Sequence, residues 1–473
     1  MSRAGSRTRQ FRPRSLVIAA AGLAAFVCVW RAAAAQTATD VATDFKYGSI
    51  GTEDQEGIPY WIWQVLPRMF ADKLPAGGYG ALGMIWEPGH DLPIGFSKKT
   101  IWGVPRVGIN CAFCHTASVR TSASAAPTIV LGGPSHQFNP QAYSQFLDAV
   151  AGDPRFNASD MLAAIQTMTK LSWVDSAMYR FVLIAAVKRG LQEHKDHTAW
   201  MSSRPVWGKG RIDPQNPFKF TTLKQPIDST IGTSDMPPLW NMKARRGMAL
   251  HWDGMNAVYR EVLLSSGLGN GASAKSIDVE RIDRLGAWFD ALQPPKFPFP
   301  IDLALAEQGR VAFDDTCASC HAAGGARTGQ VIPIEEIGTD RHRLDTWTAP
   351  AAEAFNAFTR GQPWQFTHFR KTNGMVTSLL DGIWLRAPYL HNGSVPSLTD
   401  LLAPAPQRPT RFFRGYDVFD PVRVGFVSSG PEAEQVGFQY DVTQPGNGNT
   451  GHEYGVALSP VQKRALVEFM KTL

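Results

Sequence analysis

Three observations predict a mainly α chain of two domains with long irregular loops. A Cys-x-x-Cys-His motif occurs twice, at Cys111-Ala112-Phe113-Cys114-His115 and at Cys317-Ala318-Ser319-Cys320-His321. Amphipathic helices bracket the second motif, one over 302–316 and one closing the chain after Ser459. A Pro-rich stretch, Pro294-Pro295-Lys296-Phe297-Pro298-Phe299-Pro300, reads as a stiff spacer between the two motif-bearing regions.

Residues 1–35 read as a secretory leader. Five arginines precede an apolar run at 16–30, and the small residues 32–35 follow, with cleavage expected after Ala35. The run is short of the ~20 residues a membrane span needs, which leaves an uncleaved anchor as the alternative. The mature chain is expected to be periplasmic or secreted, with no membrane span after signal cleavage. Residues 36–293 form the expected N-terminal domain and 294–473 the C-terminal one. Within the first, 45–110 is rich in Gly, Pro and Trp and reads as loops with short helices. Asn139-Pro140 caps a helix carrying Tyr143, Phe146, Leu147 and Val150 on one face; another starts near Ser159, and a longer one covers about 173–191. In the second, Asp302 opens the helix that leads into Cys317. Ser459-Pro460-Val461-Gln462 combines an N-cap Ser, a Pro at the first helical position and a Gln three residues past the cap.

Composition removes several function classes. The 473 residues carry a formal charge of +6, but the leader alone holds six arginines and no Lys, Asp or Glu. Removing those six from the 47 Lys and Arg leaves 41, equal to the 41 Asp and Glu, so charge composition indicates no basic face for nucleic acid or anionic lipid. Five cysteines in such a length exclude a disulfide scaffold, and Cys28 lies in the leader.

The four remaining cysteines sit in the two motifs. On a helical turn, residues three and four apart share a face, so both thiols can reach the two vinyl groups of one porphyrin while the following His offers an axial nitrogen to iron. This is the attachment signal of c-type haem, and it predicts two covalently bound c-type haems. A zinc site would need four thiolate or imidazole ligands together, and a redox dithiol rarely carries the His twice. The helix with Gly309 and Phe313, the motif and the closing helix have the layout of a class I cytochrome c fold. The expected architecture is therefore two cytochrome c-like haem domains.

The stretch Leu385-Arg386-Ala387-Pro388-Tyr389-Leu390-His391-Asn392-Gly393-Ser394-Val395-Pro396-Ser397-Leu398 resembles the signature loop of bacterial dihaem cytochrome c peroxidases. Phe45-Lys46-Tyr47-Gly48-Ser49-Ile50-Gly51, Leu92-Pro93-Ile94-Gly95, Val107-Gly108-Ile109-Asn110, Leu239-Trp240-Asn241, Leu250-His251-Trp252-Asp253-Gly254 and Gly451-His452-Glu453-Tyr454-Gly455 are closer to one branch, the dihaem rubber oxygenases and related fatty-acid dioxygenases. The resemblance covers roughly 45–473. It implies an N-terminal haem, on His115, open to O₂ or peroxide, and a six-coordinate C-terminal haem, on His321, that relays electrons. Peroxidases of this superfamily take a Met after the signature loop as the relay ligand, but residues 399–430 contain none. His452 matches the branch's second axial His, so His321 and His452 are the expected pair; capping of a turn is its alternative role.

His391 is expected near a haem, at the interface of the domains, or in place of His452 as ligand. Trp240 matches a haem-proximal Trp of the branch and joins His391 as a candidate catalytic residue, with packing as its plainer role; Trp252 is second. His136 is a candidate distal group for the first haem, with a surface or loop role as the alternative. His90, His194, His197, His342 and His368 carry no pattern. The resemblance implies an enzyme taking O₂ or H₂O₂, with an unsaturated lipid or isoprenoid as organic substrate if it oxygenates, or a small electron-donor protein as partner if it is a peroxidase. A plain dihaem electron carrier is the third reading, and the superfamily's inter-domain Ca²⁺ is a candidate further cofactor.

Overall fold

The helices predicted from caps form with those caps in place. In the computed structural model, which describes residues 40–473, Asp302 accepts from the Leu305 amide at 3.0 Å and opens helix Leu303–Thr316. Ser459 and Gln462 close a reciprocal capping box on helix Pro460–Met470. Asn139 accepts from Ala142 N at the start of Pro140–Ala151, whereas Ala158–Met168, expected to start near Ser159, is capped by Asn157, which accepts from Ser159 N and Asp160 N. Residues 173–198 form one run of helix in three pieces, Trp173–Met178, Tyr179–Leu183 (π-helical) and Ile184–Thr198. The predicted leader and its cleavage after Ala35 lie outside the described residues.

Leu303–Thr316 and Pro460–Met470 cross in close contact. A Cβ on Gly309 would stand 1.9 Å from the Ala465 carbonyl oxygen, so only glycine permits the approach. Phe313 and Phe469 meet beside it with ring centroids 5.1 Å apart. This pair delivers Cys317 to the start of the short helix Ala318–His321.

The expectation of a mainly α chain of two cytochrome c-like domains is overturned. The described residues are 42% helix and 12% strand, and thirteen short strands pair into six small antiparallel sheets, a mixed α/β fold. The largest correction falls in 45–110, read as loops because of its Gly, Pro and Trp content. There Phe96–Ile101 pairs with Val104–Ile109 across a two-residue turn, and Ile58–Pro59 pairs with the second strand. Trp102 (φ 54°) and Gly103 (φ 79°) both take left-handed conformations, as a type I′ turn requires. Trp-Gly is a poor signal for that turn, and Trp102 is exposed, so hydrophobic pattern did not mark it either.

The first motif is not framed by helices at all. It is a single 3₁₀ turn, Cys111–Phe113, between the strand ending at Ile109 and the strand Thr116–Val119. Asn110 holds its entry by accepting from Ala112 N at 3.0 Å and donating to Gly48 O at 3.0 Å. Ser135 N and Gly132 N donate to the carbonyls of Cys114 and His115 and hold its exit.

Residues 45–473 form one compact unit. Residues 294–300 are packed into it rather than free: Trp384 Nε1 donates to Pro295 O at 3.0 Å, and Phe297 stands edge-on to Trp384 at 5.5 Å. Among the described residues no helix is long and apolar enough to cross a membrane.

Gly309→Ala should destabilise the fold by roughly 1–3 kcal/mol, the range for overpacking a filled core. Gly190→Ala, inside Ile184–Thr198 with nothing within 4 Å of the added methyl, should stabilise it by up to about 1 kcal/mol. Urea unfolding followed by circular dichroism checks both signs.

Candidate functional site

One cavity of about 1030 Å³ runs between the two motifs. Cys111, Cys114 and His115 line one part of it, and Cys317, His321 and His452 another. Its volume sits at the top of the ~300–1,000 Å³ range of single-ligand sites, in keeping with a bulky occupant. Among the described residues no three or more of His, Cys, Asp and Glu cluster as a metal site, and no disulfide joins any of the four cysteines. They are therefore two separate pairs, which removes a four-ligand zinc site. Burial pushes Cys111 and Cys317 up to about 11 and Cys114 up to about 12, the opposite of the depressed thiol of a redox-active pair.

The second motif's imidazole is oriented by the backbone. His321 Nδ1 lies 2.7 Å from the Ser378 carbonyl; a carbonyl only accepts, so Nδ1 donates and Nε2 is left free to bind metal. His452 faces it, with ring centroids 6.2 Å apart and ring planes 49° apart. Two imidazole–metal bonds of about 2.0–2.1 Å plus two ring radii of roughly 1.1 Å span about 6.3 Å, so this gap accepts one metal ion between the rings. His452 takes φ 49°, and its amide donates to Ile337 O at 2.8 Å, which holds the strained residue in place. Its buried Nδ1 has no partner.

Desolvation lowers His115 to about 4, while the nearby Pro237 backbone opposes the shift. Among the described residues no second imidazole is paired with it as His452 is with His321.

The other predicted residues fall in three places. His391 lines the cavity, buried, and its carbonyl accepts from Asp235 N at 2.9 Å. Trp240 does not line the cavity. It is fully buried in the core, where its Nε1 donates to Leu131 O at 3.0 Å and its ring lies against Gly132, Gly133 and Gly382. Trp252 does line the cavity and donates to Asp235 O at 2.7 Å. His136 is buried, not at the surface, and stacks on Phe426 at 3.7 Å away from the cavity wall.

Two groups escaped the sequence reading of single residues. Arg386 and Arg245 line the cavity and share one carboxylate, Asp381, to which Asn241 also donates. Burial, then the neighbouring Arg245, lowers Arg386 to about 9, and its Nε is unpartnered. Two cations on one carboxylate leave positive charge in the wall, which suits the carboxylates of a porphyrin. His251 also lines the cavity in a left-handed conformation (φ 64°) with a buried, unpartnered Nε2. Only its place in Leu250-His251-Trp252-Asp253-Gly254 could have flagged it.

Two separated thiol pairs, each followed by a half-buried imidazole on a shared cavity, define a chain suited to c-type haem. Residues 374–413 are similar to a family described as RoxA-like, cytochrome c-like. That match, over 40 of the 473 residues, supports a cytochrome c-like segment and with it c-type haem, and it does not carry the placement among dihaem peroxidases. Two uncharacterized proteins of Sinorhizobium fredii are similar. One, y4iM, is 29% identical over 50% of this chain and 64% of its own length; the other, y4iJ, is 28% identical over 39% of this chain and 42% of its own. The chain thus spans less than two thirds of either relative.

Burial holds His391 at about 4, with the nearby Asp340 opposing the shift, whereas the unfolded residue titrates near 6.5. Between those values the unfolded chain binds the extra proton, so stability present above pH ~6.5 is lost as pH falls toward ~4. His391→Gln should flatten the fall of the urea midpoint across that window. Trp240→Phe should cost about 1 kcal/mol through the lost bond to Leu131, with the visible spectrum unchanged, since the ring lies off the cavity.

Proposed function

We propose that the chain is a dihaem c-type oxidoreductase in which the haem on His115 activates O₂ or peroxide, with an unsaturated lipid or isoprenoid as organic substrate, and the haem on His321 relays electrons. The carrying observation is the asymmetry of the cavity: His321 faces His452 at 6.2 Å, while His115 faces no such partner among the described residues. An axially closed haem suits electron transfer and an open one suits oxygen chemistry, which the cofactor supplies when bound.

The chain's own residues hold and shield. Cys111 and Cys114, and Cys317 and Cys320, would hold the haems through their thiols, and His115, His321 and His452 would offer imidazole nitrogens to iron. Ser378 O fixes the His321 ring. Arg386 and Arg245, tethered by Asp381, would meet porphyrin carboxylates. Met236, Leu239, Leu263 and Leu268 contribute to the apolar wall that excludes water and admits a nonpolar substrate. An exported, periplasmic location goes with this reading, supported by the leader at 1–35.

Carbon monoxide binds ferrous haem only where an axial position is open or displaceable. The reduced protein should bind it at about half of its haem, and His452→Ala should raise that toward all of it. No binding in the parent protein would favour a carrier with two closed haems. Oxygen uptake with an unsaturated lipid and no electron donor supports oxygenation; H₂O₂ consumption that requires a donor favours a peroxidase.

A further inference from the structure

We propose that the apolar outer face of residues 173–182 seats the protein on an anionic phospholipid surface. The inner side of this helical run is buried through Tyr179, Leu183, Ile184 and Leu191. Its outer side carries Trp173 at 83% exposure, Phe181 at 74%, Val182 at 57% and Val174 at 51%. Val174 and Phe181, two turns apart, share a face. Four large apolar side chains within ten residues are more than the scattered singles of an ordinary surface, and Trp and Phe are the types that settle at a bilayer interface.

Charge selects the occupant. Lys170, Arg180 and Arg189 are exposed around this face, and among the described residues none of them makes an ion pair. The one carboxylate between them, Asp175, is occupied at the helix start, where it accepts from Ser172 Oγ at 2.7 Å. Apolar centre and cationic border complement an anionic bilayer, with each basic residue near such a surface adding about fivefold to binding.

The same helix leads to the cavity. Glu193, His194 and His197 line it, and the twelve residues from Phe181 to Glu193 rise about 18 Å along the axis. A lipid seat would thus stand beside one wall of the cavity, although it does not depend on the chemistry proposed above.

The test is sedimentation of the holoprotein with phosphatidylcholine–phosphatidylglycerol vesicles, against phosphatidylcholine alone. Binding is expected to the anionic vesicles at low salt, weaker by about tenfold or more in Trp173→Ser/Phe181→Ser. Arg180→Ala or Arg189→Ala should each weaken it about fivefold, and added salt should weaken it further. Haem content and carbon monoxide binding should match the parent protein, which shows that the variants fold. The proposal is overturned if the parent stays in the supernatant, or if the variants sediment equally well. It is also overturned if the parent is a dimer that Trp173→Ser/Phe181→Ser converts to monomer, since the face would then cover a second copy.

Discussion

The buried pair Arg414–Asp235, at 2.9 Å, holds together segments 179 positions apart in sequence, and much of the cavity hangs on it. Asp235 N donates to the His391 carbonyl, and Asp235 O accepts from Trp252, so the same residue ties the signature loop to the other wall. Arg414 also donates to Gly393 O. A Cβ on Gly393 would meet Asp235 and Arg414 atoms at 2.4 Å, which is why a glycine stands at that turn. Such a pair is expensive to bury and more expensive to break, because loss of one partner strands the other charge, at about 3–5 kcal/mol. Nearby, Tyr440 donates to Asn392 O and carries Arg211 over its ring at 4.9 Å.

That seam gives the cavity its chemistry. Imidazoles along it are kept neutral by burial, with His251 and His391 at about 4, so nitrogen lone pairs rather than N–H cations face the interior. The positive charge that remains comes from arginines, which stay protonated where a lysine would yield. A site lined in this way favours a neutral, metal-binding set of rings around an anionic occupant.

Much of the local structure was legible before any coordinates. Capping signals at Asn139, Asp302 and Ser459 are short-range chemistry, so they held. The Cys-x-x-Cys-His spacing is likewise a signal contained within five residues. What failed was the extension from one motif to a domain: around Cys317 helices surround the motif, but around Cys111 strands do. A hairpin closed by Trp102-Gly103 is decided by pairing across strands, and composition alone read it as loop.

The sequence by itself determined the two Cys-x-x-Cys-His thiol pairs and the helix caps, since each depends on neighbours along the chain, whereas the approach of Gly309 to Ala465 joins positions 156 apart. Tertiary structure alone decided which residues share the cavity. It brought His452 opposite His321 across 131 positions, set Trp240 into the core, and left Arg386 and Arg245 to divide one carboxylate. Those outcomes turn on distance between segments far apart in sequence, and the spacing of residues along the chain carries no measure of it.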